Sequence, residues 1–170
     1  MLSADRIIEY LDLQPLPIEG GHFRQSYRAA ESISGDALPA RYQRAKQLCT
    51  AIYYLLTSDP DSFSAIHRLP TDEIWHFYLG DPVEMLLLNQ DGRSETVMLG
   101  HDLLSGQRVQ FVVPSGVWQG ARLAEGGQFA LMGTTMAPGY DDTDYTSGVA
   151  DELVRLYSHK ADLIRILARS

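Results

Sequence analysis

His67-Arg68-Leu69-Pro70-Thr71-Asp72-Glu73-Ile74-Trp75-His76-Phe77-Tyr78-Leu79-Gly80 decides how this chain is read. An imidazole and a carboxylate stand six residues apart, a Pro-Thr-Asp turn separates two apolar stretches, and a glycine closes the second stretch. Side chains two apart share one face of a strand. Over 63–69 that rule groups Phe63, Ala65, His67 and Leu69, with Ser64, Ile66 and Arg68 on the other face, so His67 looks into an apolar layer. The same count puts Glu73, Trp75, Phe77 and Leu79 together and leaves His76 and Tyr78 opposite. A second run, Pro114-Ser115-Gly116-Val117-Trp118-Gln119-Gly120, follows about forty residues after Glu73. Its Gly/Pro turn aims Gln119 at the same interior.

Around these segments, short β-rich runs stand at 48–57, 63–69, 73–79, 83–89, 94–100, 108–114, 117–123 and 127–136. Between them stand turn formers such as Ser58-Asp59-Pro60-Asp61, Gly80-Asp81-Pro82 and Asn89-Gln90-Asp91-Gly92-Arg93. Turns recurring at intervals of about eight to twelve residues mark an all-β sandwich or barrel, whereas a parallel sheet would put helical patterns between its strands. The spacing predicts an all-β fold, an antiparallel two-sheet barrel with its core over about 20–138. Upstream, Ser3 is placed to cap a helix over 3–13 that carries Ile7, Ile8 and Leu11 on one face and is stopped by Pro15 and Pro17. After Gly20-Gly21, Phe23 and Tyr27 set against Arg24 and Arg28 mark an early strand, and 31–47 reads as a polar loop. Downstream, Tyr140 to Gly148 is an acidic, tyrosine-bearing loop. Leu153, Leu156, Leu163, Ile164 and Leu167 then recur at helical spacing, which predicts one or two helices over 149–168 with a break around Ser158. No internal repeat divides the chain, so 1–170 reads as one domain.

With 45% apolar residues, the 170-residue chain has enough hydrocarbon for a sizeable core. Lys and Arg total 14 against 22 Asp and Glu, a net charge of −8 that repels phosphate backbones and anionic lipid. Nucleic-acid and membrane-surface partners are therefore not expected. The richest basic stretch, Arg41-Tyr42-Gln43-Arg44-Ala45-Lys46, is short and reads as a solvated connector. Cys49 is the only cysteine, so no intrachain disulfide can form, and it reads as a small core residue. The start of the chain lacks a signal-peptide pattern, and no apolar stretch approaches the roughly 18 residues that span a bilayer. Cytoplasm is the expected compartment.

The two runs together resemble the cupin superfamily. Its first motif is a His, a second His two residues on, a Glu four or five later and a Gly after six more, and its second is Pro-x-Gly-x-x-His. His67, Glu73 and Gly80 match the first motif and Pro114 and Gly116 the second. Leu69 stands where the second His belongs, and Gln119 where the final one belongs. Further stretches, Glu19 to Arg28 and Met136 to Tyr145 among them, are similar to one branch of small cupins. The resemblance implies a rhamnose-epimerase-like jelly roll, or double-stranded β-helix, that forms a homodimer and holds a small-molecule ligand inside the barrel. It implies no particular reaction.

A cupin metal cage takes three His and one Glu, and leucine has no lone pair to offer. The reading that follows is a metal-independent isomerase or epimerase for a sugar-like or other small polar metabolite. Removing a proton beside a carbonyl needs a base that titrates near working pH and a group that stabilises the enolate. His67 or His76 would be the base, with Glu73 orienting the imidazole or serving as partner acid. Gln119, Trp118, Tyr53 and Arg24 would bind substrate; Tyr54, Tyr78 and Arg28 are further candidates as proton donor or anion holder. In this reading no cofactor is required. A second reading seats a divalent metal on His67 and Glu73, with His76 brought in by a bulge, for dioxygenase or metal-assisted isomerase chemistry. A third is a non-catalytic module that binds or senses a metabolite through the same pocket.

Overall fold

The computed structural model describes residues 2–42 and 44–169. Its strands are β1 (Gln14–Pro15), β2 (His22–Arg28), β3 (Ser32–Ile33), β4 (Lys46–Gln47), β5 (Thr50–Thr57), β6 (Ser64–Arg68), β7 (Glu73–Gly80), β8 (Val83–Leu88), β9 (Ser94–Leu99), β10 (Gln110–Val113), β11 (Trp118–Leu123), β12 (Phe129–Met136) and β13 (Thr146–Ser147). They build a six-stranded sheet in the order β1-β2-β5-β12-β7-β10 and a five-stranded sheet in the order β13-β6-β11-β8-β9. All pairings within these two sheets are antiparallel. The expected two-sheet barrel is present, and β13 carries it past residue 138, because Thr146 and Ser147 pair with Arg68 and His67.

Alternation along each strand explains which layer every apolar residue joins. Tyr54, Leu56, Trp75, Phe77, Met85, Leu87 and Met132 face inward and pack between the sheets. Leu86 and Leu88, on the opposite face of β8, lie with Ile66 beneath Leu153, Tyr157, Ile164 and Leu167. Those four belong to or adjoin two short helices, α2 (Ala150–Leu156) and α3 (Ala161–Leu167), and a 3-10 turn over Ser158–Lys160 makes the break expected at Ser158. Leu55 and Leu131 are covered on their outer side by Ile7 and Leu13. Ile7 sits on the N-terminal helix α1 (Ala4–Leu11), capped by Ser3 Oγ accepting from Arg6 N at 3.4 Å. The helix ends earlier than the prolines would force, at Asp12, whose φ of 51° puts it in the left-handed region. None of the described helices is long and apolar enough to cross a membrane.

The segment 31–47 departs from a plain loop. It holds β3 and β4, which pair with each other, and its basic stretch is only partly solvated. Tyr42 and Lys46 are buried, the latter against Asp144 in an ion pair that joins this segment to the loop before β13. Gln43, in the middle of the stretch, lies outside the described residues.

Candidate active site in the barrel

A cavity of about 240 Å³ opens between the sheets; His67, Leu69 and Glu73 of the first motif segment line it, and the second segment meets it only through the hydrogen bond from Gln119 to Glu73. Strand register brings them together. Gln119 on β11 stands directly across from His67 on β6, and Glu73 opens β7 opposite Met136 of β12. The turn that carries the second motif needs Gly116, whose φ of 79° suits a residue without Cβ, and Gly116 N donates to Leu69 O at 2.8 Å.

His67 is buried and lines the cavity. Its Nδ1 lies 2.8 Å from the Ala65 carbonyl oxygen. A carbonyl only accepts, so Nδ1 carries a hydrogen, and the neutral ring would present its lone pair at Nε2. The imidazole stacks on Tyr145, with ring centroids 4.8 Å apart and planes 18° from parallel. Tyr145 comes from the acidic loop, and its hydroxyl is buried and has no hydrogen-bond partner among the described residues, although its side chain lines the cavity. Burial, with the charge of Glu19 behind it, pushes that phenol well up, so it stays a donor.

Glu73, 6% exposed, is a second buried ionisable group on the cavity wall. Its Oε2 accepts from Gln119 Nε2 at 2.7 Å, and Gln119 Oε1 accepts from Trp75 Nε1 at 2.9 Å. Burial raises the Glu73 pKa above the ordinary carboxylate value, the nearby His67 opposes the rise, Glu19 adds to it, and hydrogen bonds from Thr134 and Gln119 pull it back. Glu19 lines the same cavity, its Oε1 accepting from Ser64 Oγ at 2.6 Å. Gln25, Arg28, Thr50, Thr134, Tyr140, Asp141 and Asp142 make up the rest of the polar wall.

Several expected site residues lie elsewhere, each for a reason of strand geometry. His76 occupies the opposite face of β7 from Glu73 and is engaged by Thr135 Oγ1 at 3.1 Å and Gln110 Nε2 at 3.2 Å. The irregularity in the β7–β12 pairing skips Tyr78, beyond His76, and so does not turn that imidazole inward. Neither a base at His76 nor a metal set of His67, Glu73 and His76 is assembled. Tyr53 also faces out, packed beside Tyr78 and Leu55, with the Arg24 guanidinium 5.5 Å from its ring centre. Tyr54 faces in but donates to Gly20 O at 2.9 Å. Trp118 points toward the C-terminal helices beneath the Arg68 guanidinium. Gln119 has both ends of its amide engaged and positions Glu73 instead of meeting a ligand. Arg28 reaches the cavity where Arg24 does not, because a register shift between Gln25 and Tyr27 turns the strand over. A similar shift in β6 puts Ser64 on the inner side and Phe63 under the helices, opposite to strict alternation. Tyr140, Tyr145 and Glu19 were not singled out as site residues by the sequence. The tyrosines' position in a loop directly after the last long strand was the available signal.

The cage implied by the cupin motifs is not built from these side chains. Leu69 lines the cavity with hydrocarbon, and the Gln119 oxygen is taken by Trp75. Among the described residues, no three His, Cys, Asp or Glu side chains are placed to hold a metal ion. The donor set does not fit a tightly bound transition metal.

A two-sheet antiparallel barrel with a polar interior cavity is the architecture of cupins. Residues 5–147 match the family described as Cupin superfamily (DUF985), and the chain belongs to that family. It is similar to protein SO0799 from Shewanella oneidensis, with 32% identity, a TM-score of 0.85 and 99% of each chain covered. A hypothetical protein from Leishmania major aligns with 27% identity and a TM-score of 0.85 over 99% of this chain and 100% of that one. The uncharacterized protein YML079W of Saccharomyces cerevisiae is 28% identical over 137 residues, 75% of this chain and 67% of that protein. Oxalate decarboxylase from Bacillus subtilis shares the fold alone, with 13% identity and a TM-score of 0.53 over 93% of this chain and 37% of that one.

Proposed function

We propose that the protein is an isomerase that moves a proton between neighbouring carbons of a small hydroxy-carbonyl metabolite, without a metal. The observation that carries this reading is the pairing of a fixed imidazole tautomer with a buried acid on one cavity. His67 Nε2 takes the proton from the carbon beside the carbonyl, and the C–H electron pair moves to make the enediol. Protonated Glu73, favoured by its burial, gives its proton to the carbonyl oxygen as charge develops there. The Tyr145 hydroxyl, which lacks a protein partner, donates to a substrate oxygen and holds the enediol. The imidazolium then returns its proton to the adjacent carbon while the Glu73 carboxylate takes the proton from the neighbouring hydroxyl, which restores both groups. A cavity of about 240 Å³ suits a ligand of monosaccharide size or smaller, since pockets for drug-sized ligands run to roughly 300–1,000 Å³.

Incubating the protein with a panel of small aldoses and ketoses in deuterated water tests this. Deuterium should appear on the carbon beside the carbonyl, and His67→Asn should slow its appearance by at least about a hundredfold. Saturable binding without any exchange would mark a binding module instead, and exchange that survives His67→Asn unchanged would remove His67 from the chemistry.

A further inference from the structure

Beside the barrel cavity lies a second hollow of about 450 Å³, and its charge runs against that of the chain. Arg41, Arg44, Lys46 and Arg68 all line it, with Asp144 as the lone carboxylate on its wall. Lys46 and Asp144 are paired and buried, so they offset one another. Three guanidiniums remain, in a molecule whose net charge is −8. Arg44 has Asp141 only at 3.8 Å, the outer limit of an ion pair. Arg41 and Arg68 form no ion pair among the described residues.

Two of the three are held in place before any ligand arrives. Arg41 lies 4.8 Å from the Tyr42 ring centre and its Nε donates to Pro70 O at 2.9 Å, which leaves the terminal nitrogens of its fork without a hydrogen bond among the described residues. Arg68 lies 4.6 Å from the Trp118 ring centre. Guanidiniums stacked on aromatic rings lose little freedom when they bind, and their planar forks match phosphate oxygens in pairs. Ser115 and Thr146 put hydroxyls on the same wall.

We propose that this groove binds the phosphate group of a small phosphorylated metabolite. Leu69 borders both hollows, so a ligand anchored here presents its polar end at the rim of the barrel cavity. That second step rests on the proton-transfer reading of the cavity; the anchoring step does not.

Calorimetric titration at low salt with inorganic phosphate, glycerol 3-phosphate and glycerol separates the two steps. Both phosphates should bind saturably and glycerol should not. Arg41→Gln and Arg68→Gln should each weaken phosphate by at least about tenfold, the loss expected for one charge-assisted contact. Arg68→Lys, which keeps charge but loses the fork, should fall between. Arg165→Gln removes the same charge from the exposed face of α3 and should change affinity by less than about twofold. His67→Asn should leave inorganic phosphate binding intact even if it abolishes proton exchange. Only glycerol 3-phosphate should perturb the His67 ring signals in the NMR spectrum. No saturable phosphate binding, or binding indifferent to both Arg41→Gln and Arg68→Gln, overturns the proposal. Phosphate binding with no effect of the ester on His67 assigns the groove to free phosphate and overturns the link to the barrel.

Discussion

Burial makes Glu73 a reluctant carboxylate, and that reluctance has a measurable cost. A carboxyl whose folded pKa lies above its unfolded value of 4.5 binds protons more readily when folded. Its favourable contribution is therefore complete below pH 4.5 and is lost as pH rises through the folded value. Glu73→Gln does not titrate, and its amide oxygen can still accept from Gln119. In thermal melts from pH 5 to 9, the variant's Tm should rise relative to the parent as pH increases and then level off; a gap that narrows with pH would contradict this. The same variant should lose exchange activity, because an amide can hydrogen-bond to a developing oxyanion but cannot transfer a proton to it and take one back. Tyr145 behaves differently. Its hydroxyl is buried and unpartnered in the free protein, so Tyr145→Phe should leave Tm unchanged or slightly raised while slowing exchange by about tenfold or more. A fall in Tm with full activity would mean the phenol serves the fold and not the ligand.

At the scale of strands and turns, parity decided what could be read from residues. His67 and Glu73 were legible because each is fixed by a short local pattern, a strand face and a turn. The facing of Arg28 relative to Arg24, and of Phe63 and Ser64 relative to His67, was not, because one extra residue in β2 and in β6 reverses the side chains on one side of it relative to the other and leaves no mark in composition. Tyr145 was hidden for another reason: its place over His67 comes from β13 pairing with β6, a contact between segments far apart in sequence. Gly80 shows how tightly the strand ends are set. Its φ is 105°, and a Cβ there would stand 2.3 Å from Phe129 O, a main-chain atom that cannot step aside. Gly80→Ala should cost at least about 2 kcal/mol in urea unfolding, combining left-handed strain with that clash. A cost near zero would mean that β7 and β12 can separate at this end.

Across the molecule, the apolar runs that announced the strands read as nearly continuous because both faces are covered. Leu86 and Leu87 are neighbours in sequence yet belong to separate layers, one beneath the helices and one between the sheets. That covering made the β-rich class and the terminal helices legible, while the small β3–β4 pair inside the polar 31–47 segment left no alternation to detect. The buried Lys46–Asp144 pair binds that segment to the loop supplying Tyr140 and Tyr145, so a contact outside the barrel helps to hold part of the cavity wall.

Stranding one member of such a pair in the interior destabilises by about 3–5 kcal/mol. Lineages should therefore cross this point only by a double step, exchanging the lysine and the aspartate together for uncharged residues. Homologues that keep one charge while lacking the other, and still fold, would show that drift at the two positions is independent after all.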